Sequence, residues 1–334
     1  MKQLDKIKKN TILISIITII ILFFVLKDDF ENIVLSFQKF DKKYIIIGIF
    51  FYFLSISLKG YSNYLIVNNK KKVSLLEAIK HNIIVQFFNG VTPFATGGQP
   101  MEIYMLTEHK IPALTATNQT IQGFIFYQIA LVVCGIAAVI CNYYYSFFPK
   151  IKILRYFVFG GFLVNIMVVI LLLLLSYSKK ITTGVINIGI QGLKKLKIEV
   201  DEKKVDNKID IYHQGFQELK KRKNLAIIGI FLNISSLLAL YIIPFFIAKG
   251  MHISSLSIIE TVTASSYVYI LGSFIPIPGS SGGIEYGFTQ FFGNFITQDY
   301  ISAVLIIWRF ITYYIGIITG AILFNIEKKE IKWE

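Results

Sequence analysis

The chain has 334 residues, of which 54% are hydrophobic and 16% are charged, and its mean hydropathy is +0.62. A soluble domain carries about 25% charged residues, so this composition excludes a soluble globular protein and predicts an all-α integral membrane protein. The net charge of +14 is therefore interpreted from its position along the chain before any nucleic-acid partner is considered.

The N-terminus opens with a basic stretch, residues 1–10, and continues with an apolar stretch, residues 11–26. Lys27 and two aspartates follow instead of a small-residue cleavage site, so we interpret 11–26 as a retained first span and not as a signal peptide. Five further apolar stretches are long enough to cross a bilayer. They lie at residues 44–67, 113–141, 153–177, 225–248 and 300–325.

Two other apolar stretches, residues 74–109 and 257–296, are interrupted by proline and glycine, which break helices. We predict that each forms a re-entrant helical hairpin with its turn inside the membrane. Both stretches begin with a Ser-x-x-Glu capping box, at Ser74 and at Ser257. The predicted fold is therefore six full spans plus two re-entrant hairpins.

The two interruptions share the pattern Pro-x-x-x-Gly-Gly, at residues 93–98 and 278–283, and lie 185 residues apart. The same offset carries the second span onto the fifth and the third span onto the sixth. Residues 44–141 and 225–326 are therefore predicted to be two repeats of span, hairpin and span. The first hairpin enters from the cytoplasm and the second from outside, so the repeats are inverted, as in many secondary transporters.

The basic residues are distributed unevenly between the predicted sides of the membrane. The segments 1–10, 68–80, 178–223 and 326–334 hold 23 of the 34 lysines and arginines, whereas the opposite segments hold 8. Because basic loops remain inside, both termini are predicted to be cytoplasmic. Residues 178–223 are interpreted as a cytoplasmic basic linker, either solvated or lying on anionic headgroups. No nucleic-acid partner is needed to explain the charge.

The two Gly-Gly turns are predicted to meet near the membrane midplane, because backbone at that depth must be buried in protein or line a cavity. Pro100 suits the first turn of one returning helix, and Ser280 or Ser281 is expected to cap the other. Two helix N-termini that point at the centre favour an anion such as a phosphodiester. The alternative is that glycine and proline only permit tight helix packing.

Four charged residues fall inside predicted membrane segments: Lys59, Glu102, Glu285 and Arg309. A charge near the bilayer centre costs about 2.5–3.5 kcal/mol, so these residues are expected to have partners or functions. Arg309 is expected to pair with a lipid phosphate or with Glu285, and Lys59 to snorkel. An internal salt bridge that locks the helices is the alternative.

The candidate substrate-binding residues come from the two turns, the carboxylates that follow them, and the arginine of the last span. They are Thr92, Pro93, Thr96, Gly97, Gly98, Gln99, Glu102, Pro278, Ser280, Ser281, Gly282, Gly283, Glu285 and Arg309. No catalytic constellation, cofactor motif or metal-ligand spacing is found. Cys134 and Cys141 are expected to be packed hydrophobes.

Three segments carry a resemblance to a known family. They are Thr92-Pro93-Phe94-Ala95-Thr96-Gly97-Gly98-Gln99-Pro100, Pro276-Ile277-Pro278-Gly279-Ser280-Ser281-Gly282-Gly283-Ile284-Glu285, and Arg309 before Thr312-Tyr313-Tyr314. In these segments the chain resembles the transmembrane flippase domain of bacterial lysylphosphatidylglycerol synthase/flippase proteins. The resemblance covers essentially the whole chain and implies a stand-alone member without the synthase domain. Family members commonly carry an acidic residue where Gln99 stands.

The resemblance implies translocation of a lysylphosphatidylglycerol-like phospholipid across the bacterial plasma membrane, which in the family gives resistance to cationic peptides. The expected partners are membrane lipids with a phosphodiester headgroup and, as an option, a separate lipid-modifying synthase. Two alternatives remain open. The first alternative is a membrane component of a phosphatidylglycerol lysyltransferase system, although no residues for the transfer chemistry are found here. The second is a transporter of a polyprenyl-linked or small anionic solute.

Overall fold

A computed structural model describes residues 40–67, 73–148, 152–195, 202–273 and 275–330. Within these ranges the chain folds into helices joined by short turns, with no β-strand. The helices are α1 (Lys43–Val67), α2 (Leu75–Gly90), α3 (Gly98–Glu108), α4 (Ala113–Tyr145), α5 (Lys152–Tyr177), α6 (Lys179–Lys195), α7 (Glu202–Lys221), α8 (Lys223–Tyr241), α9 (Ile243–Gly250), α10 (Ile258–Gly272), α11 (Gly283–Phe292), α12 (Gln298–Arg309) and α13 (Ile315–Glu330).

Within the described residues, five helical segments are long and apolar enough to cross a membrane. They are Lys43–Val67, Ala113–Tyr145, Val158–Tyr177, Lys223–Gly250 and Gln298–Glu327. These segments confirm the all-helical membrane fold and correspond to five of the six predicted spans. The sixth predicted span, residues 11–26, lies outside the described residues.

The last two of these segments are not regular helices. Ile242 separates α8 from α9, and Pro244 occupies the first turn of α9, where its missing N–H costs nothing. Residues Phe310–Tyr314 form a π-helical turn between α12 and α13. Single π turns inside membrane helices often occur at functional sites, and this one follows Arg309 directly.

Both predicted capping boxes are present. The Ser74 Oγ accepts a hydrogen bond from the Glu77 N–H at 3.2 Å, and the Ser74 N–H donates to the Glu77 carboxylate at 2.6 Å. Ser257 and Glu260 repeat this arrangement at 3.3 and 2.7 Å. Each N-cap contributes about 1 kcal/mol to the helix that it starts, so α2 and α10 begin at the serines for the same local reason.

The helices recur at the predicted 185-residue offset. The short 3₁₀ turns span Pro93–Ala95 and Pro278–Ser280, α3 and α11 start at 98 and 283, and α4 and α12 start at 113 and 298. Proline and glycine act locally, so the same pattern in both halves ends and restarts the helices at equivalent positions.

The packing of the helices follows the same correspondence. Helix α1 packs against its counterpart α8, where the Ser55 and Ser236 hydroxyls lie 2.9 Å apart and Asn233 donates to the Ser62 hydroxyl at 2.9 Å. Helix α2 of the first half packs against α13 of the second, and α10 of the second packs against α4 of the first. Each half therefore supports the interrupted stretch of the other.

The described parts of the basic segment 178–223 form two helices, α6 and α7. Helix α7 packs against α4 and α5. The Asn118 side chain donates to the Tyr212 carbonyl at 2.9 Å, and the Gln122 side chain donates to the Gly215 carbonyl at 3.3 Å. The expectation of a solvated segment is therefore wrong for α7, because its apolar face finds a surface on the bundle.

Candidate functional site

The site lies where the two 3₁₀ turns, Pro93–Ala95 and Pro278–Ser280, contact each other. Their backbones match residue by residue. Phe94 and Gly279 have φ of 53° and 63°, and Ala95 and Ser280 have φ of 53° and 52°. The turns therefore adopt one left-handed conformation twice, and their contact agrees with the expectation that the two Gly-Gly turns meet.

The left-handed conformation is suited to Gly279 but not to Phe94. A bulky residue rarely adopts positive φ, and such strain costs about 1–3 kcal/mol. The Phe94 side chain is exposed, so burial of its ring does not offset that strain. Sequence reasoning passed over Phe94, although its alignment with Gly279 at the 185-residue offset carried the signal.

The first turn is closed by hydrogen bonds from its own side chains. The Thr92 hydroxyl donates to the Phe88 carbonyl at 2.7 Å and accepts from the Gly97 N–H at 2.8 Å. The Gly98 N–H donates to the Asn89 side chain at 3.0 Å. Thr92, Gly97 and Gly98 thus build the turn, and two N–H groups expected to face an anion already have acceptors within the protein.

The second turn is closed differently from the prediction. The Ser280 hydroxyl donates to the Gly272 carbonyl at 2.7 Å, and the Ser281 hydroxyl donates to the Pro278 carbonyl at 3.2 Å. Neither serine caps α11, whose N-cap is Gly282. The Gly282 N–H donates instead to the Glu285 carboxylate at 2.6 Å. The predicted serine cap is therefore wrong, because both hydroxyls reach nearby carbonyls and a carboxylate takes their place.

Pro100 lies in the first turn of α3, as predicted, where its ring suits the helix start. Several N–H groups at the starts of α3 and α11 already have acceptors within the protein. The two helix ends therefore offer fewer free N–H groups to a ligand than the sequence implied. Side chains must therefore supply more of any recognition at this place.

Arg309 and Glu285 form a buried ion pair beside the second turn. The Arg309 Nε donates to the Glu285 Oε1 at 2.6 Å, and its Nη2 donates to the Gly279 carbonyl at 2.9 Å. Arg309 is 5% exposed and Glu285 2% exposed. Of the two partners expected for Arg309, the structure places Glu285 against it. Within the described residues the Arg309 Nη1 has no hydrogen-bond partner.

Tyr313, in the π-helical turn, contacts both halves of the site. Its hydroxyl donates to the Gly90 carbonyl at 3.1 Å, at the end of α2. The Arg309 guanidinium lies 5.0 Å from the centre of its ring. An added Cβ on Gly279 would lie 2.5 Å from that ring, so the turn and Tyr313 are in close contact.

A cavity of about 570 Å³ opens between the turns and the surrounding helices. Four of the predicted binding residues line it: Thr96, Gln99, Ser280 and Arg309. Its other polar walls include Lys59, Gln86, Asn89, Gln128, Asn165 and Ser236. Among the described residues the wall carries two cations, Lys59 and Arg309, and no carboxylate.

Ten of the predicted binding residues do not line this cavity. They are Thr92, Pro93, Gly97, Gly98, Glu102, Pro278, Ser281, Gly282, Gly283 and Glu285. Most of them shape the turns or hold Arg309, as the hydrogen bonds above describe. Glu102 lines a separate small cavity of about 30 Å³, into which Lys59 and Gln99 also reach.

Glu102 accepts a hydrogen bond from a side chain of α1. The Asn63 amide donates to the Glu102 Oε1 at 2.8 Å. The Lys59 ammonium lies 4.7 Å from the centre of the Tyr127 ring, a cation–π distance. Sequence analysis gave Lys59 little weight and did not single out Asn63 or Tyr127, because only the packing of α1 against α4 brings them together.

Within the described residues no cluster of histidine, cysteine and carboxylate groups could hold a metal ion. Cys134 is buried in an apolar cluster with Leu131 and Leu237, as expected for a packed hydrophobe.

Two known proteins can be aligned with most of this chain. A "UPF0104 membrane protein" of Archaeoglobus fulgidus is 23% identical over 286 residues, which is 81% of each chain. A Mycoplasma pneumoniae protein described as uncharacterized is 22% identical over 268 residues, 73% of this chain and 66% of that protein. The family described as "Lysylphosphatidylglycerol synthase TM region" matches residues 11–320. Because that match spans nearly the whole multi-pass chain, the protein belongs to the lysylphosphatidylglycerol synthase TM region family.

Proposed function

We propose that this protein moves a phospholipid with a phosphodiester headgroup, the class that includes lysylphosphatidylglycerol, across the bacterial plasma membrane. The observation that carries the proposal is the cavity of about 570 Å³ between two matching turns, with Arg309 on its wall. A cavity of this size suits a lipid headgroup, and a guanidinium suits its phosphate.

We infer an inverted repeat of residues 44–141 and 225–326, with each hairpin re-entrant. Two observations support it: the helices of the two halves start at matching positions, and helices of each half pack against those of the other. In transporters built this way, the substrate sits between the repeats near the midplane, and the site opens to each side in turn. The strained turns fit that role, because irregular backbone at membrane depth is tolerated where it lines a cavity.

The proposed orientation places both termini and helices α6 and α7 in the cytoplasm. Residues 178–223, which contain α6 and α7, carry 12 of the basic residues, and basic segments remain inside. A cysteine at Lys208, which is exposed on α7, tests this in a background with Cys134 and Cys141 replaced. We expect no labelling by an impermeant maleimide in intact cells and full labelling after permeabilisation. Labelling of intact cells would reverse the topology.

Translocation itself is tested in vesicles that contain the purified protein and a phospholipid with a fluorescent acyl chain. We expect an impermeant reductant to bleach the inner-leaflet lipid as well as the outer, whereas protein-free vesicles keep the inner-leaflet signal. Vesicles loaded with radioactive phosphate serve as the parallel assay. Release of phosphate without lipid movement would favour the soluble anionic solute instead.

A further inference from the structure

Lys59 is a cation on the cavity wall without a hydrogen-bond acceptor among the described residues. It lies on α1, is partly buried, and reaches both the large cavity and the small cavity beside it. Its ammonium lies over the face of the Tyr127 ring, at 4.7 Å from the ring centre. An ammonium carries three donors, and a buried charge without acceptors is costly.

Glu102 attracts Lys59 but does not bind it directly. The carboxylate lines the same small cavity, no ion pair within 4.0 Å joins the two groups, and the Glu102 Oε1 accepts from Asn63 instead. The attraction of Glu102 and the contact with the Tyr127 ring together hold the Lys59 ammonium at the large cavity.

The second cation of the wall differs from Lys59. Arg309 is neutralised by Glu285 and hydrogen-bonded to the Gly279 carbonyl, so its charge is compensated within the protein. Glu285 lies behind Arg309 and does not line the cavity. Lys59 therefore has the larger need for an anionic partner from the cavity.

A cationic headgroup would find no partner of opposite charge on the described cavity wall. The described wall offers Lys59 and Arg309 but no carboxylate, and Gln99 supplies a neutral amide. An amino group in this cavity would face the uncompensated charge of Lys59 and would find no carboxylate on the described wall, and such an arrangement discriminates against it.

We propose that Lys59 binds the phosphate of the headgroup and makes the cavity selective for a lipid whose headgroup has net negative charge and no amino group. This inference rests on the proposed function and narrows its substrate: an unmodified phosphatidylglycerol-type headgroup is preferred over a lysylated one. Arg309 contributes its guanidinium to the same phosphate, as proposed above, and Lys59 supplies the uncompensated charge that selects the headgroup.

The test measures binding in detergent, separately from translocation. Native mass spectrometry follows competition between phosphatidylglycerol and lysylphosphatidylglycerol of identical acyl chains. We expect the unmodified lipid to be preferred by about tenfold or more, since both lipids offer the phosphate to Lys59 but only the lysylated lipid adds ammonium groups that Lys59 repels.

Lys59→Gln is expected to weaken binding of phosphatidylglycerol about tenfold and to remove the preference, whereas Lys59→Arg keeps it. Lys208→Gln, which removes an exposed lysine on α7, should change neither quantity. If Lys59→Gln does not fold, the competition with the unaltered protein still decides the point. Equal or tighter binding of the lysylated lipid overturns the inference, and so does a folded Lys59→Gln protein that retains the preference.

The binding and vesicle assays separate the two proposals. Selective binding without any lipid movement keeps the Lys59 site and removes the translocation proposal. Lipid movement with equal use of both lipids keeps translocation and removes the selectivity assigned to Lys59.

Discussion

Arg309→Ala is expected to destabilise the folded protein by about 3–5 kcal/mol, because it leaves the Glu285 carboxylate buried without its partner. Glu285 is 2% exposed, and the one other hydrogen bond to its carboxylate among the described residues comes from the Gly282 N–H. An arginine paired only with a lipid phosphate, the other partner expected from the sequence, would instead give a folded but inactive Arg309→Ala protein. The observed ion pair changes that expectation, and thermal unfolding of the detergent-solubilised protein measures the effect.

The paired replacement Arg309→Met with Glu285→Leu separates stability from function. Replacing both partners of a buried ion pair by apolar residues is often neutral or stabilising, and the loss of the acceptor for the Gly282 N–H costs about 1 kcal/mol, so the double variant should fold. We expect it not to move lipid in vesicles, because the cavity has lost its guanidinium. Arg309→Lys should fold poorly, since an ammonium cannot reproduce the contacts to Glu285 and to the Gly279 carbonyl together. An Arg309→Ala protein of unaltered stability would show that the pair contributes nothing to folding.

Gly279→Ala is the second change with a large expected effect. The residue has φ of 63°, and an added Cβ would lie 2.5 Å from the Tyr313 ring. Backbone strain and overlap with the ring together are expected to cost about 2–4 kcal/mol. The melting temperature in detergent should fall, and lipid translocation should be lost even at temperatures where the protein remains folded, because the ring of Tyr313 is displaced from the cavity wall.

Gly160→Ala provides the matched control. Gly160 lies in α5, and nothing approaches within 4 Å of the position of an added Cβ. The same chemical change should therefore leave stability unchanged or slightly raised, since alanine favours a helix. If Gly279→Ala behaves like Gly160→Ala, the turn tolerates a side chain and the described contact with Tyr313 does not constrain it.

The features that sequence reasoning predicted are those that act within a few residues. Ser74 and Ser257 cap their helices through atoms three residues away, and Pro93 and Pro278 start turns wherever they occur. Such signals do not depend on the rest of the fold. The predicted positions of both capping boxes and both turns were therefore confirmed.

The features that sequence reasoning missed depend on distant contacts. Ser280 has the right chemistry for a cap, but the Gly272 carbonyl lies within its reach and no local pattern reveals that. Lys59 resembled a snorkelling lysine until the packing of α1 against α4 placed it beside Tyr127. The amphipathic helix α7 resembled a linker because its partner, α4, precedes it by more than fifty residues.

One phenol joins the two halves of the molecule. Tyr313 donates to the carbonyl that ends α2, lies against Gly279 of the opposite turn, and faces the Arg309 guanidinium. If one turn shifts, the ring must either follow it or give up a contact with the other. Packed contacts of this kind have discrete arrangements rather than a continuous range. The end of α2 and the second turn are thereby coupled through Tyr313, so a displacement of either one changes the contacts of the other.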